Sequence, residues 1–292
     1  MGDRIGGCRP MGDVLAMASA VFFGTTHFLS ALLSRRVDST ALALHAQIGG
    51  TALILVAAPL VPAQSIGAAA ICWGALSGVG TGIGVTFLYR GVSVGQVSVV
   101  VPLSDVGAMV LPVLAGVLLL GERPRVVSWF GVVAAALALW LISRSPSDPG
   151  RAGRTATGSA DGLVAGAGFA LQFVALARVD PAAGLWPLVA SRFASVLAIV
   201  PLALGARATM RMSSRFLLAA AGTGALGTVA IVLYTLATRR QLLALAVVLA
   251  ALYPVVPVVL GLTVLRERAT RGQVLGLVLA AVAIAVIALA GT

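Results

Sequence analysis

The feature that most constrains this chain is a succession of apolar runs that follow one another almost end to end. A helix needs roughly 20 apolar residues to cross about 30 Å of hydrocarbon, and each run is long enough to do so. Only 10% of the residues are charged, whereas a soluble domain carries roughly 25%, and the mean hydropathy is +1.06. The sequence therefore predicts an all-α integral membrane protein. The alternating segments of about ten residues that a transmembrane barrel requires do not occur.

Ten transmembrane helices are predicted, at residues 11–33, 40–61, 67–88, 95–119, 126–143, 161–178, 182–205, 214–237, 241–265 and 272–290. The longest connection is rich in Ser, Pro, Gly and Arg, which is the composition of a linker. It divides the chain into four parts: a tail (1–10), a first five-helix unit (11–143), a linker loop (144–160) and a second five-helix unit (161–292). The tripeptide Met-Gly-Asp occurs at Met1 and again at Met11, so the start position stays open.

The two units repeat one sequence pattern at a spacing of 145 residues. Tyr89 corresponds to Tyr234 and Glu122 to Glu267, and no gap is needed across residues 88–142. Matches at tyrosine and glutamate are informative, whereas matches between apolar residues arise by chance in so apolar a sequence. Five spans is an odd number, so the second unit must enter the membrane from the opposite side. The sequence thus predicts two inverted five-helix repeats, an arrangement characteristic of secondary transporters with a midplane substrate site.

Three stretches carry a resemblance to a known family: YRGVSVGQVSVVVPL (Tyr89–Leu103), GERP (Gly121–Pro124) and SRFASVLAIVPLAL (Ser191–Leu204). They resemble the drug/metabolite transporter superfamily, and within it the EamA-type ten-helix transporters. The resemblance implies efflux of amino acids, metabolites or drug-like compounds by alternating access. It also implies a central cavity lined mainly by helices 1, 3, 4, 6, 8 and 9, in a multi-pass protein of the plasma (cytoplasmic or inner) membrane.

The deepest acidic residue is Asp105, about ten residues from either end of the fourth span and next to Ser104. A carboxylate at this depth is costly, so we expect it to face a cavity or to pair with another group. It can bind a cationic substrate or carry a proton, and a hydrogen bond between helices is the structural alternative. His27, with Thr25 in the segment GTTHFLS, can titrate near neutral pH and share a proton path with Asp105. Helix packing is the alternative for this histidine.

Arg192 lies near the middle of the seventh span, which contains no acidic residue. The resemblance places an arginine in this helix whatever the substrate. We therefore expect Arg192 to brace carbonyls of a neighbouring helix rather than to bind a substrate carboxylate. Gln172 and Tyr253 are deep and are candidate cavity residues. Tyr89 and Tyr234 are candidates too, although aromatic residues near span ends more often belong to the headgroup belt.

Prolines recur in the fourth and ninth spans, namely Pro102, Pro112, Pro254 and Pro257. A proline removes a backbone donor, so we expect both spans to be interrupted. Paired interruptions in two halves point to a transporter site, and a packing kink is the alternative.

The two Glu-Arg turns that end these spans contain Glu122 and Glu267. We expect each glutamate to lie in a solvated turn with a local ion pair, which contributes little to stability.

Several function classes are disfavoured. The net charge of +11 comes from arginines placed between apolar runs, which fits headgroup-facing loops rather than a nucleic-acid interface. No G-x-x-x-x-G-K-[ST] motif is present, so ATP is not the expected energy source. A membrane-embedded enzyme would need paired carboxylates with a metal, or a nucleophile with a base. The sequence shows no such cluster in its apolar runs, so we expect no enzyme, metal or cofactor.

The expected partners are a small-molecule substrate, protons as the candidate coupling ion and the bilayer, in a monomer or homodimer. The main alternative is a flippase for lipids or lipid-linked carriers on the same fold. Orientation stays open. With both termini in the cytoplasm, as the resemblance implies, seven arginines lie inside and twelve outside, and the positive-inside rule favours the reverse.

Overall fold

The computed structural model of the protein describes residues 9–34, 36–94, 97–119, 121–142, 158–205, 207–253, 255–263 and 271–290. Within these ranges the backbone forms α-helices, short 3₁₀ turns at Ala58–Leu60 and Pro181–Ala183, and no strand. The prediction of an all-helical chain is confirmed.

The first half contains five helices, α1 (Arg9–Ser34), α2 (Ser39–Ala57), α3 (Ala68–Val94), α4 (Val97–Leu119) and α5 (Val126–Ile142). The second half contains six, α6 (Ser159–Ala177), α7 (Trp186–Gly205), α8 (Ser214–Thr238), α9 (Leu243–Ala250), α10 (Val255–Thr263) and α11 (Arg271–Ala290). Predicted and observed boundaries differ by a few residues. The exception is the predicted span 241–265, which forms two helices.

Six helices of the described part, α1, α2, α3, α6, α7 and α8, are long and apolar enough to cross a membrane. Their outer surfaces carry large apolar side chains such as Leu197, Leu204 and Leu218, each more than 70% exposed. Water-soluble monomers rarely expose contiguous apolar surface of this kind, whereas lipid tails cover it. The number of ten spans and the inverted orientation of the repeats stay predictions.

The sequence encodes the start of α2 locally. Asp38 precedes the helix, and its Oδ1 accepts hydrogen bonds from the backbone N–H groups of Thr40 at 2.9 Å and Ala41 at 3.1 Å. An aspartate at this position satisfies donors that the first turn of a helix leaves unpaired. The short loop before α2 is therefore fixed to the helix that follows it.

Helices of one half pack mainly against helices of the other half. α3 contacts α6 and α7, while α8 contacts α1 and α2 in the equivalent arrangement. α4 packs against α6, as α9 and α10 pack against α1, and α5 packs against α11. Each pairing thus has a counterpart when the halves are exchanged. The core is built mainly between the repeats, with fewer contacts inside each of them.

Glycines permit the closest of these approaches. A Cβ atom on Gly78 of α3 would collide with the carbonyl oxygen of Ser191 on α7. In the counterpart interface, a Cβ on Gly224 of α8 would collide with the carbonyl oxygen of Ala46 on α2. Small residues let helix backbones approach in membranes, where burial of apolar side chains gives little driving force.

The two proline-bearing spans behave differently, and the expected interruption of the fourth span is wrong. α4 is continuous through Pro102 and the buried Pro112, whereas a turn at residues 251–253 separates α9 from α10. Pro102 and Pro112 are ten residues apart, so the helix loses single, separated hydrogen bonds. Pro254 and Pro257 remove two donors within one turn. Pro254, like the side chains of Pro102 and Pro257, lies outside the described residues.

Candidate functional site

A cavity lies at the centre of the molecule, between the two halves. Its walls come from α1, α2, α3, α4, α6, α7 and α8, together with Tyr253 in the turn between α9 and α10. The cavity has a volume of about 80 Å³. Both halves contribute to its lining.

One wall of the cavity is polar and centres on Gln47 of α2. Its Oε1 accepts a hydrogen bond from Nη1 of Arg192 on α7 at 2.6 Å. The hydroxyl of Ser195 lies 3.0 Å from the same oxygen and 2.8 Å from the carbonyl oxygen of Arg192. Arg192 is 7% exposed and lines the cavity. Among the described residues, the group that braces this arginine is thus a side-chain amide, where backbone carbonyls were predicted.

A second polar pair joins α3 to α6. The Thr81 hydroxyl lies within hydrogen-bonding distance of the Oε1 of Gln172 and of the Ser77 carbonyl oxygen, and both Thr81 and Gln172 line the cavity. Gln172 is 4% exposed. Its predicted position in the cavity agrees with the structure.

The opposite wall is aromatic. His27 stacks on Tyr253, with ring centroids 4.6 Å apart and an interplanar angle of 23°. Phe23 packs edge-on against Phe173 at 6.2 Å and lies 6.3 Å from the Tyr253 ring. The Nδ1 of His27 lies 3.0 Å from the carbonyl oxygen of Phe23, one turn earlier in the same helix. His27 therefore presents its ring to the cavity in an orientation fixed by its own helix.

Asp105 does not line the cavity but lies behind Tyr253. The hydroxyl of Tyr253 donates a hydrogen bond to Oδ1 of Asp105, which is 1% exposed. The other carboxylate oxygen, Oδ2, has no hydrogen-bond partner among the described residues, and neither does the hydroxyl of Ser104. His27, Tyr253 and Asp105 thus form a continuous series from the cavity to the middle of α4.

Comparison with protein families identifies the fold and the broad function together. The model of the EamA-like transporter family matches residues 10–144 and 158–289, which is nearly the whole chain in two copies. The chain belongs to the EamA-like transporter family. Membership and the apolar helices together make it a multi-pass membrane protein with two repeats of one unit.

A solved crystal structure has a similar arrangement of helices. It aligns with a TM-score of 0.75 at 17% sequence identity, and the alignment covers 95% of this chain and 96% of the other. At this identity the likeness establishes the arrangement of helices and no more. A search of curated proteins found no significant match.

Three further predicted residues are Thr25, Tyr89 and Tyr234, and of these three only Tyr89 lines the cavity. Thr25 bonds the carbonyl oxygen of Val21 in its own helix and is not part of the cavity lining, whereas its neighbour Thr26 is. Tyr89 lines the cavity and is hydrogen-bonded to Ser30.

Tyr234, the repeat counterpart of Tyr89, is fully buried. It donates a hydrogen bond to the carbonyl oxygen of Phe173 at 3.2 Å and does not reach the protein surface.

Glu122 departs most from its prediction. Its carboxylate accepts backbone hydrogen bonds from Leu243 at 2.6 Å and Ala244 at 3.0 Å, at the N-terminus of α9 in the other half. The expected role in a solvated turn with a local ion pair is therefore wrong. A helix N-terminus has unpaired N–H groups and a positive dipole end, and both favour a carboxylate. The counterpart Glu267 lies outside the described residues.

Sequence reasoning missed Gln47, Thr81 and the lining role of α2 and α7. Gln47 is an amide in an otherwise apolar run, placed 145 residues before Arg192. That spacing equals the repeat period, so the pair could have been found by comparing the halves position by position. Thr81 offered no comparable signal among the glycines of α3.

Proposed function

We propose that this protein is a secondary transporter that exports small molecules by alternating access through the central cavity. One observation carries the proposal: the cavity lies between the two repeats, and buried polar side chains from both repeats line it. Irregular backbone at membrane depth is tolerated where it lines a cavity, and the turn that places Tyr253 there fits this rule. Rocking of one repeat against the other, with the repeats inverted in the plasma membrane, would open the cavity to each side in turn.

The coupling ion in this proposal is a proton carried by Asp105. The carboxylate of Asp105 is buried, and among the described residues only Oδ1 receives a hydrogen bond. A negative charge on this group would therefore be poorly stabilised. Protonation of Oδ2 removes the charge and converts this oxygen into a donor. Tyr253 and His27 then connect the carboxyl group to the cavity. Occupation of the cavity and protonation of Asp105 can therefore influence each other through the Tyr253 side chain.

The test is to compare exported compounds from cells that produce the wild type and the Asp105→Asn variant at matched membrane levels. Asp180→Asn serves as the control, because Asp180 is exposed and its Oδ1 accepts from the backbone N–H of Ala182 at 2.9 Å. Asparagine can accept the same bond. Untargeted mass spectrometry of the medium gives the readout.

We expect one or more compounds to accumulate outside cells with the wild type and Asp180→Asn, but not with Asp105→Asn. Equal export by the wild type and Asp105→Asn would remove Asp105 from the mechanism. An unchanged medium in all cells would contradict export itself.

A further inference from the structure

We propose that the cavity selects small carboxylates without an ammonium group, and that Arg192 binds the carboxylate. The inference rests on the proposed transport function and names its substrate class. It comes from the balance of charge in the cavity. Among the described lining residues Arg192 is the one permanently charged side chain, and no Asp or Glu is included. Asp105, the acidic residue nearest the aromatic wall, lies behind Tyr253.

The guanidinium of Arg192 has no charged partner in the described part of the chain. Its hydrogen bond goes to the neutral amide of Gln47, and the carboxylate of Asp161 pairs with a different arginine, Arg90. A buried charge without a countercharge is costly, and arginine does not relieve the cost by losing its proton. An anion in the cavity would supply the missing countercharge.

The shape of the donors favours a carboxylate. A guanidinium presents five N–H groups in a planar fork that matches two carboxylate oxygens. Only Nη1 donates to Gln47, so further donors remain. Gln47 also lines the cavity, and its amide oxygen is occupied by Arg192. Its NH₂ group is therefore a second donor beside the guanidinium.

The rest of the lining favours an apolar body over a second charge. Five aromatic rings contribute to the walls, those of Phe23, Tyr89, Phe169, Phe173 and Tyr253. Such rings bury apolar or aromatic groups. An ammonium group would find no carboxylate in the described lining to neutralise it, and it would meet the positive charge of Arg192. A zwitterion is therefore expected to bind more weakly than the matching simple acid.

Binding to the full-length protein in nanodiscs tests this inference by calorimetry. Four matched probes share a phenylpropyl body: phenylpropanoate, its amide, phenylpropylammonium and phenylalanine. We expect phenylpropanoate to bind at least about tenfold more tightly than the other three, since hydrogen bonds to charged groups contribute about 1.5–3 kcal/mol. Equal or tighter binding of the amide, the ammonium compound or phenylalanine overturns the inference, and so does the absence of phenylpropanoate binding.

Gln47→Glu is the sharpest variant, because it places an internal carboxylate against Arg192 with almost no change in shape. It should form an ion pair, keep the fold and weaken phenylpropanoate binding about ten- to hundredfold. Arg192→Gln should abolish the preference for the acid over the amide, and Arg192→Lys should retain part of it. The control is Arg178→Gln, since Arg178 is exposed and stacks over Trp73 at 5.6 Å, away from the cavity. Unchanged acid binding in Gln47→Glu contradicts the inference.

Flux in reconstituted vesicles separates this inference from the proposed function. Counterflow of labelled phenylpropanoate that is lost in Gln47→Glu supports both. Flux of the amide or the ammonium probe at a rate equal to that of the acid keeps transport and overturns the charge selection. Acid-selective binding without flux of any probe supports the selection and contradicts the transport of these compounds.

Discussion

At the residue scale, the hydrogen bond between Tyr253 and Asp105 joins the two repeats in the interior of the molecule. Tyr253 belongs to the interrupted helix of the second half and Asp105 to the continuous α4 of the first. The same tyrosine ring stacks on His27 of α1. One side chain thus contacts two titratable groups, His27 at its ring face and Asp105 at its hydroxyl. A movement of the turn between α9 and α10 would therefore change the contacts of both His27 and Asp105.

Tyr253→Phe removes the hydroxyl and keeps the ring, so it separates the hydrogen bond from the stacking. We expect it to destabilise the protein by about 1–3 kcal/mol, because both Asp105 oxygens then lack a donor. Denaturation in mixed micelles measures the effect. In an Asp105→Asn background the same change should cost less, with a coupling energy of about 0.5–3 kcal/mol. Additive effects of the two substitutions would show that the residues are not energetically coupled.

At the element scale, Glu122 fixes the start of α9 from the opposite half. α9 has eight residues, all of them buried, and a helix this short gains little stability from its own hydrogen bonds. Its position therefore depends on packing and on the cap from Glu122. A Cβ on Gly116 would lie 2.6 Å from the Oε2 of Glu122, so a glycine at that position leaves room for the carboxylate.

Glu122→Ala should destabilise the protein by about 0.5–2 kcal/mol, the usual cost of losing a helix N-terminal cap. Hydrogen exchange should rise at the amides of Leu243 and Ala244, which lose their acceptor. Glu122→Gln should have a smaller effect, because its amide oxygen still accepts one bond. Arg123→Ala is the matched control, since the neighbouring Arg123 is exposed. Faster exchange in the control, or unchanged exchange in Glu122→Ala, would contradict a capping role.

The sequence predicted elements better than it predicted their contacts. Helix positions follow from the length of the apolar runs, and the errors are small. The predicted start of α7 at residue 182, for example, differs from the observed start at Trp186 by four residues. The break in the ninth span follows from prolines three residues apart. The rule that prolines interrupt a helix also predicted a break in α4, which is continuous. The partner of Glu122 could not be predicted, because Leu243 is 121 residues away and the contact exists only once the halves pack. The contact between Gln47 and Arg192 was missed but could have been predicted, because their separation of 145 residues equals the repeat period.

At the scale of the whole molecule, the two halves depend on each other. α3 lies against α6 and α7, and α8 lies against α1 and α2. Hydrogen bonds cross the same boundary, as between the Ser19 hydroxyl and the Ala230 carbonyl oxygen at 2.8 Å. A half on its own would expose glycine-rich faces and polar groups such as Gln47 to lipid. Folding of each repeat is therefore tied to the presence of the other.

A chain cut within residues 144–157 should assemble when both fragments are produced together and should fail when either is produced alone. The reason is that most helix packing crosses between the halves. Fluorescence-detected size-exclusion chromatography in mild detergent measures the outcome, with the uncut chain as the control. A monodisperse peak from a single fragment would contradict the mutual dependence of the repeats.

The pair formed by Gln47 and Arg192 has a consequence for how such a cavity can be charged. The two residues touch although each stands at the same place in its own half. In an assembly with two-fold symmetry, a position that meets its own counterpart lies on the axis. Two identical subunits would place one residue there twice, giving either two arginines that repel or two neutral amides. Joining the halves in one chain lifts that restriction, so a single positive charge can stand at the centre of a nearly symmetric molecule.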